Sequence, residues 1–191
     1  LATAFVDAGY NVVLIEYDLC PAVTLGVIVE QVRRAIAWIY HHAVDFDLTC
    51  DEMVISGHSA GGHLTAMMWA TDWTRYHLPG GLISGGIALS GLFDLDPLQF
   101  TNMHEQVQFT PPVIASLSPA RLAPQISAPL VVAVGERESA EFHRQTDIIN
   151  AMPAWAEVIQ AVVDVPGKHH FDILAAFMDL DDPMWAALNG T

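Results

Sequence analysis

The strongest chemical signal in the chain is the run Met53-Val54-Ile55-Ser56-Gly57-His58-Ser59-Ala60-Gly61-Gly62. It contains the pattern G-x-S-x-G, from Gly57 to Gly61, set between a β-rich run and an apolar helical run. Taken bare, such a pattern arises by chance in roughly one chain of this length in twenty. The setting is far more specific. A nucleophile on a sharp strand-to-helix turn occupies strained backbone, so its neighbours must be small. Gly57 and Gly61 are expected to let strand and helix approach closely. Ser59 then projects at the helix N-terminus, whose positive end favours a developing oxyanion. The backbone N–H of Ala60, one residue on, is the oxyanion donor this turn supplies. A serine that only caps a helix would explain Ser59 but not the glycines around it.

A serine hydroxyl needs a base, and the base needs an orienting acid. Hydrolases built on such a turn supply them in the chain order Ser, acid, His. The acid should follow the apolar run Leu130 to Val134, where Gly135-Glu136-Arg137-Glu138-Ser139 stands. Glu138, three positions past the glycine, is the favoured candidate, with Glu136 and Glu141 as rivals. The histidine should follow the last strand, where Val165-Pro166-Gly167-Lys168-His169-His170-Phe171 offers two. His170 is favoured because Phe171 can begin a packed helix beside it. His169 is then a surface residue or a support. His58 adjoins Ser59 in sequence, which sends its side chain elsewhere, and is expected to be structural. The other histidines have no metal spacing: His58 and His63 are five apart with no intervening Glu. No catalytic metal and no cofactor are expected.

These groups need a scaffold that brings three distant loops to one edge. Ala2 to Ala8 reads as the end of a helix stopped at Gly9. Val12 to Tyr17 reads as a strand. Thr24 could cap a helix running to about His41, with Val29, Val32, Ile36 and Ile39 at helical spacing. Met53 to Ser56 is a short buried strand, and Ser59 to Trp69 the helix behind it. Further strands are expected at Leu82 to Leu89, Pro129 to Val134 and Val158 to Val165, with helices over 141–150 and 171–180. Alternating strands and helices imply a mostly parallel sheet with helices on both faces and right-handed crossovers. Residues 91–128 carry five prolines, with Pro129 directly after them, and read as a lid or excursion over the site. The whole of 1–191 is expected to be one α/β domain.

Composition narrows the function classes. The 191 residues are 52% apolar and 15% charged, with a mean hydropathy of +0.35. That excludes a disordered chain, and no apolar run reaches the roughly 18 residues of a membrane span. Seven basic against 22 acidic residues give a net charge of −15. Such a field repels nucleic-acid phosphates and anionic membranes. The expected partner is a small acyl amide or ester, and a homodimer is left open. Cys20 and Cys50 form no zinc spacing or disulfide framework, which points to reduced thiols and a cytoplasmic setting.

The segment Gly57-His58-Ser59-Ala60-Gly61-Gly62-His63-Leu64 resembles the nucleophile elbow of α/β-hydrolases of the esterase/lipase group. Three further stretches resemble the kynurenine formamidase (arylformamidase) branch and its esterase relatives. They are Tyr17-Asp18-Leu19-Cys20-Pro21, Ser90-Gly91-Leu92-Phe93-Asp94-Leu95 and the Glu138 to Gln145 segment. The similarity runs over essentially the whole chain. It implies an α/β-hydrolase fold and a triad of Ser59, Glu138 and His170. The implied reaction is hydrolysis of N-formylkynurenine to kynurenine and formate, a step of tryptophan catabolism. In that family a His-Gly-Gly oxyanion loop precedes the helix ending at Gly9. The chain is therefore expected to begin after that loop, without the first strands of the sheet, and to be poorly active as 191 residues alone.

Within this reading the formyl side of the site can be tight, and the aryl side needs an apolar wall. Phe93, Phe100, Phe109 or Trp73 could supply it, although each taken alone is more often plain core or lid packing. A general short-chain carboxylesterase would use the same triad, and a hydrolase-fold binding protein would use none of it.

Overall fold

A computed structural model describes residues 2–190 of the chain. In order, the regular elements are α1 (Ala2–Asp7), α2 (Leu25–His42), β1 (Met53–His58), α3 (Ala60–Trp69), β2 (Ile83–Leu89), α4 (His104–Val107), α5 (Pro111–Leu117), β3 (Leu130–Gly135), α6 (Ala140–Ala151), β4 (Ile159–Val165), α7 (Ile173–Phe177) and α8 (Pro183–Asn189), with short 3-10 turns between some of them. The four strands form one parallel sheet in the order β1-β2-β3-β4. No helix among the described residues is long and apolar enough to cross a membrane.

The sheet is parallel because each strand is joined to the next by a helix or helical segment, and its central strand β3 is apolar and buried on both faces, whereas the edge strand β4 turns Gln160, Val162 and Asp164 outward. Successive residues of β3 alternate between two cores. Leu130 and Val132 pack with α2, α3 and Ile149 of α6. Val131 and Ala133 pack with Ile173 of α7, Met184 and Leu188 of α8, and Phe5 of α1. Helix α2 begins where Thr24 accepts a hydrogen bond from the Val27 N–H at 3.3 Å, satisfying one of the free donors of the first turn.

Two elements depart from the sequence pattern. Val12 to Tyr17 is strand-like in composition but takes no part in the sheet. Among the described residues, no backbone hydrogen bond is made from 11 to 17. An apolar run becomes a strand only where a neighbour completes its ladder. Here a cavity of about 680 Å³ lies between this segment and the outer edge of β1, with Leu14, Ile15 and Tyr17 on one side and Val54, Ile55 and Leu64 on the other. The helix expected over 171–180 is short, spanning Ile173–Phe177, and a second helix, Pro183–Asn189, follows it. Pro183 at its start and the Asp182 side chain, which accepts from Met184 N, restart the helix.

Candidate active site

The carboxyl ends of the strands share one edge: His58 of β1 pairs with Leu89 of β2 and Leu89 with Ala133 of β3, while Gly135 of β3 and Val165 of β4 pair two residues further on. The turns that leave these ends carry Ser59, Glu138 and His170. In open parallel sheets this edge is where helix N-termini and loops converge, so it is where a site can be assembled.

Ser59 sits between β1 and α3 with φ 58° and ψ −113°, a region non-glycine residues rarely occupy. Its N–H donates to Leu89 O at 2.9 Å, and its carbonyl accepts from His63 N at 3.1 Å. The backbone is therefore tied on both sides of the strain. Its hydroxyl makes no capping bond to the helix, which removes the cap explanation. The close approach expected at Gly57 is real: a Cβ there would stand 2.4 Å from Gly61 O. Gly61 itself has open space, so its smallness matters for what comes near it, not for a side chain it would carry.

The hydroxyl is directed at the imidazole. Ser59 Oγ lies 3.1 Å from His170 Nε2, and His170 Nδ1 lies 2.7 Å from Glu138 Oε2. A carboxylate accepts only, so Nδ1 carries the proton and Nε2 is left to accept from the serine. The Glu138 side chain is fully buried and that of His170 about one fifth exposed. A buried carboxylate must have all its lone pairs answered. Its other oxygen, Oε1, accepts from Ser90 Oγ at 2.5 Å and from the Gly135 N–H at 3.0 Å.

The rivals are occupied elsewhere. Glu136 accepts from the Gly167 N–H at 2.5 Å, Glu141 is paired with Arg144 at 2.7 Å, and His169 faces Asp172 at 3.4 Å. Glu136 and the acid loop still matter: Glu136 N donates to Val165 O, and Arg137 N donates to Lys168 O. A Cβ at Gly135 would stand 2.5 Å from Lys168 O, so this glycine lets the acid loop and the histidine loop touch.

Two expectations need correction. His58 does not point away from the site. Its ring centroid lies 4.5 Å from that of His170, at 44°. A residue ending a strand and one following a neighbouring strand can meet at the sheet's edge however far apart they are in sequence. Burial, and then the neighbouring His170, hold the His58 imidazole below the usual histidine range. Phe93, Phe109 and Trp73 cannot line an aryl pocket: all three are buried in the core. Of the four, Phe100 alone is exposed, at 84%. Phe171 is also exposed and sets its ring edge-on to His170 at 5.3 Å.

Sequence reasoning missed Ser90, which is fully buried with φ 47°. The stretch Ser90-Gly91 follows a strand as Ser59 does, but only the fold reveals that it faces Glu138. Phe142, stacked on His170, was likewise not singled out. Cys20 and Cys50 are both free, and burial pushes each thiol above its usual value, so neither is an activated nucleophile.

The BD-FAE family model matches residues 1–152. The chain is 33% identical over 190 residues to the kynurenine formamidase of Salmo salar, covering 95% of this chain and 62% of that protein. It is 32% identical to that of Danio rerio, covering 94% and 61%. It thus spans about three fifths of the length of these relatives. Among solved structures, a candidate thioesterase from Silicibacter sp. tm1040 superposes with a TM-score of 0.81 at 29% identity, over 98% of this chain and 67% of the other. A carboxyl esterase of Tuber melanosporum superposes at 0.70 with 18% identity, over 91% and 62%.

Proposed function

The chain belongs to the BD-FAE family and has the α/β-hydrolase fold, and from that premise we propose that it is a serine hydrolase of small acyl amides or esters, acting as an arylformamidase. The observation that carries the reading is the unbroken relay from Ser59 Oγ through His170 to Glu138, at 3.1 and 2.7 Å. The kynurenine formamidase relatives supply the substrate class.

In the proposed reaction Ser59 Oγ attacks the substrate carbonyl carbon while its proton passes to His170 Nε2. Glu138 keeps the Nδ1–H tautomer and stabilises the imidazolium. The carbonyl oxygen takes up negative charge beside the Ala60 N–H, at the positive end of α3. His170 returns its proton to the departing nitrogen or oxygen as that bond breaks. Water then attacks the acyl-enzyme, giving its proton to His170, and the acid leaves as Ser59 recovers the proton. With N-formylkynurenine the acyl group is formyl, and the products are kynurenine and formate. The 91–128 segment leaves β2 beside Ser90 and is proposed to cover the site. The free thiols of Cys20 and Cys50 support a cytoplasmic setting.

A carboxylesterase is the second reading, favoured by the esterase fold relatives. Fluorophosphonate labelling tests the shared nucleophile. The N-terminally extended wild type should label at Ser59 and its Ser59→Ala variant should not; an extended wild type that stays unlabelled refutes hydrolysis. Parallel kcat/KM values for N-formylkynurenine and p-nitrophenyl acetate then separate the two readings. A higher value for the formamide supports arylformamidase, and turnover of the ester alone supports the esterase.

A further inference from the structure

Two hydrogen bonds hold His170, one at each ring nitrogen. They fix an axis across the imidazole and leave rotation about that axis softly restrained. The restraint on the ring plane comes from other side chains. Phe142, in the first turn of α6, stacks on His170 with centroids 4.3 Å apart and planes at 26°. His58, at the end of β1, packs against the same ring at 4.5 Å and 44°. Thus the elements that carry the acid and the nucleophile each also send a ring against the base.

We propose that Phe142 and His58 are positioning residues that clamp the plane of His170, so that Nε2 faces Ser59 and the imidazolium, when formed, lies on the Phe142 π face. The inference rests on the triad reading given above. Stacking fixes a plane that hydrogen bonds alone do not, and a partly desolvated cation over an aromatic face is stabilised by the ring quadrupole. The His58 side suits the same purpose. Its Nε2 is shielded from solvent and has no hydrogen-bond partner among the described residues, and a buried nitrogen without a partner is held more cheaply neutral than charged. A neutral ring there adds contact without repelling the imidazolium. Glu138 is the anion bonded to the ring. Lys168 and His169 share its loop, with His169 tied to Asp172, and Glu141 beside Phe142 is tied to Arg144.

The test combines the rate of fluorophosphonate labelling, steady-state kinetics and the proton NMR signal of the His170 ring C–H in the folded protein. Phe142→Leu keeps the bulk and removes the π face. Labelling and kcat should fall about tenfold with KM within about twofold, and the His170 signal should lose its upfield ring-current displacement. Phe142→Tyr should keep all three near wild type. Phe142→Met serves the same purpose should the leucine variant not fold. His58→Phe, which keeps a neutral ring, should also retain activity, whereas His58→Ala should lose it several-fold. Wild-type labelling and an unmoved His170 signal in Phe142→Leu overturn the clamp. An N-terminally extended wild type that never labels overturns the hydrolase reading instead, and the NMR comparison still decides the clamp.

Discussion

Strand β1 has two very different surroundings. At its carboxyl end the chain turns through Ser59 under several constraints at once: the Gly57–Gly61 approach, the Ser59 N–H bond to Leu89 O, and the imidazole of His170 over the hydroxyl. Along its outer edge the same strand has no partner among the described residues, and across a cavity of about 680 Å³ lies the irregular segment from Val12 to Tyr17. Both regions are apolar and β-rich. They differ in backbone satisfaction. At the elbow the strained Ser59 is tied by a hydrogen bond to the neighbouring strand, whereas among the described residues the flanking segment packs through side chains such as Ile15 and Tyr17 and makes no backbone hydrogen bond. Order at the site is thus a matter of ladders and close backbone approach, not of hydrophobicity.

The sharpest way to break the elbow side is Glu138→Gln. Ser90 Oγ and the Gly135 N–H both donate to Oε1, so the amide oxygen of the variant must turn that way. Its NH2 group then faces His170 Nδ1, which has to accept. The ring proton moves to Nε2, where it blocks transfer from Ser59. The expected loss in kcat is about 10⁴-fold with the fold intact, read by p-nitrophenyl acetate turnover beside a circular dichroism spectrum. A loss under tenfold would show that Glu138 does not set the tautomer.

Gly57→Ala should strike the fold itself. The added Cβ would lie 2.4 Å from Gly61 O and 2.8 Å from Gly61 Cα, and backbone cannot rotate aside as a side chain can. The elbow must separate from α3, at a cost of about 3 kcal/mol or more, measurable by urea unfolding. Gly61→Ala, with nothing within 4 Å, is the control and should cost well under half as much.

The sequence carried the local parts of this site well. The run Leu130 to Val134, the Thr24 cap and the elbow are patterns of neighbouring residues, and each stands where its spacing implies. The proposed triad follows the expected chain order, because chain order fixes which strand end each loop leaves. What could not be read depends on residues brought together from afar. Val12 to Tyr17 has the composition of β3 but lacks a ladder partner. His58 was assigned away from the base because sequence adjacency to Ser59 says nothing about residue 170. Phe93 and Phe109 look like candidate aryl walls until burial places them in the core. Ser90 became visible only as the second donor to a buried carboxylate.

A pH titration compares the two sides without a large change in shape. His63, in α3 behind the elbow, is fully enclosed, and its Nε2 donates to Leu117 O at 2.7 Å. Burial lowers its pKa to about 4, the bond to Leu117 opposing the shift. Between pH 6.5 and 4 the unfolded chain binds this proton and the folded one does not. Stability should therefore be complete above pH 6.5 and fall as the pH drops, by about 3 kcal/mol near pH 4. His63→Leu should lose that part of the slope. An identical acid slope in the variant would place the sensitivity elsewhere.

The smallest effects are expected on the flank. Leu14 is 73% exposed although it borders the cavity. Little apolar surface is lost to water there on unfolding, so Leu14→Ser should change stability by no more than about 0.5 kcal/mol. Val131→Ala, inside the ladder between two cores, should cost roughly 1–3 kcal/mol. Amide exchange should divide the same way. The N–H groups from 11 to 17 have no backbone acceptor among the described residues, so they should exchange within seconds to minutes, while Val131 to Ala133 should exchange only with global opening. Slow exchange at 12–17 would mean that the segment does find a ladder partner in solution. The contrast between the two sides of β1 would then be one of occupancy and not of construction.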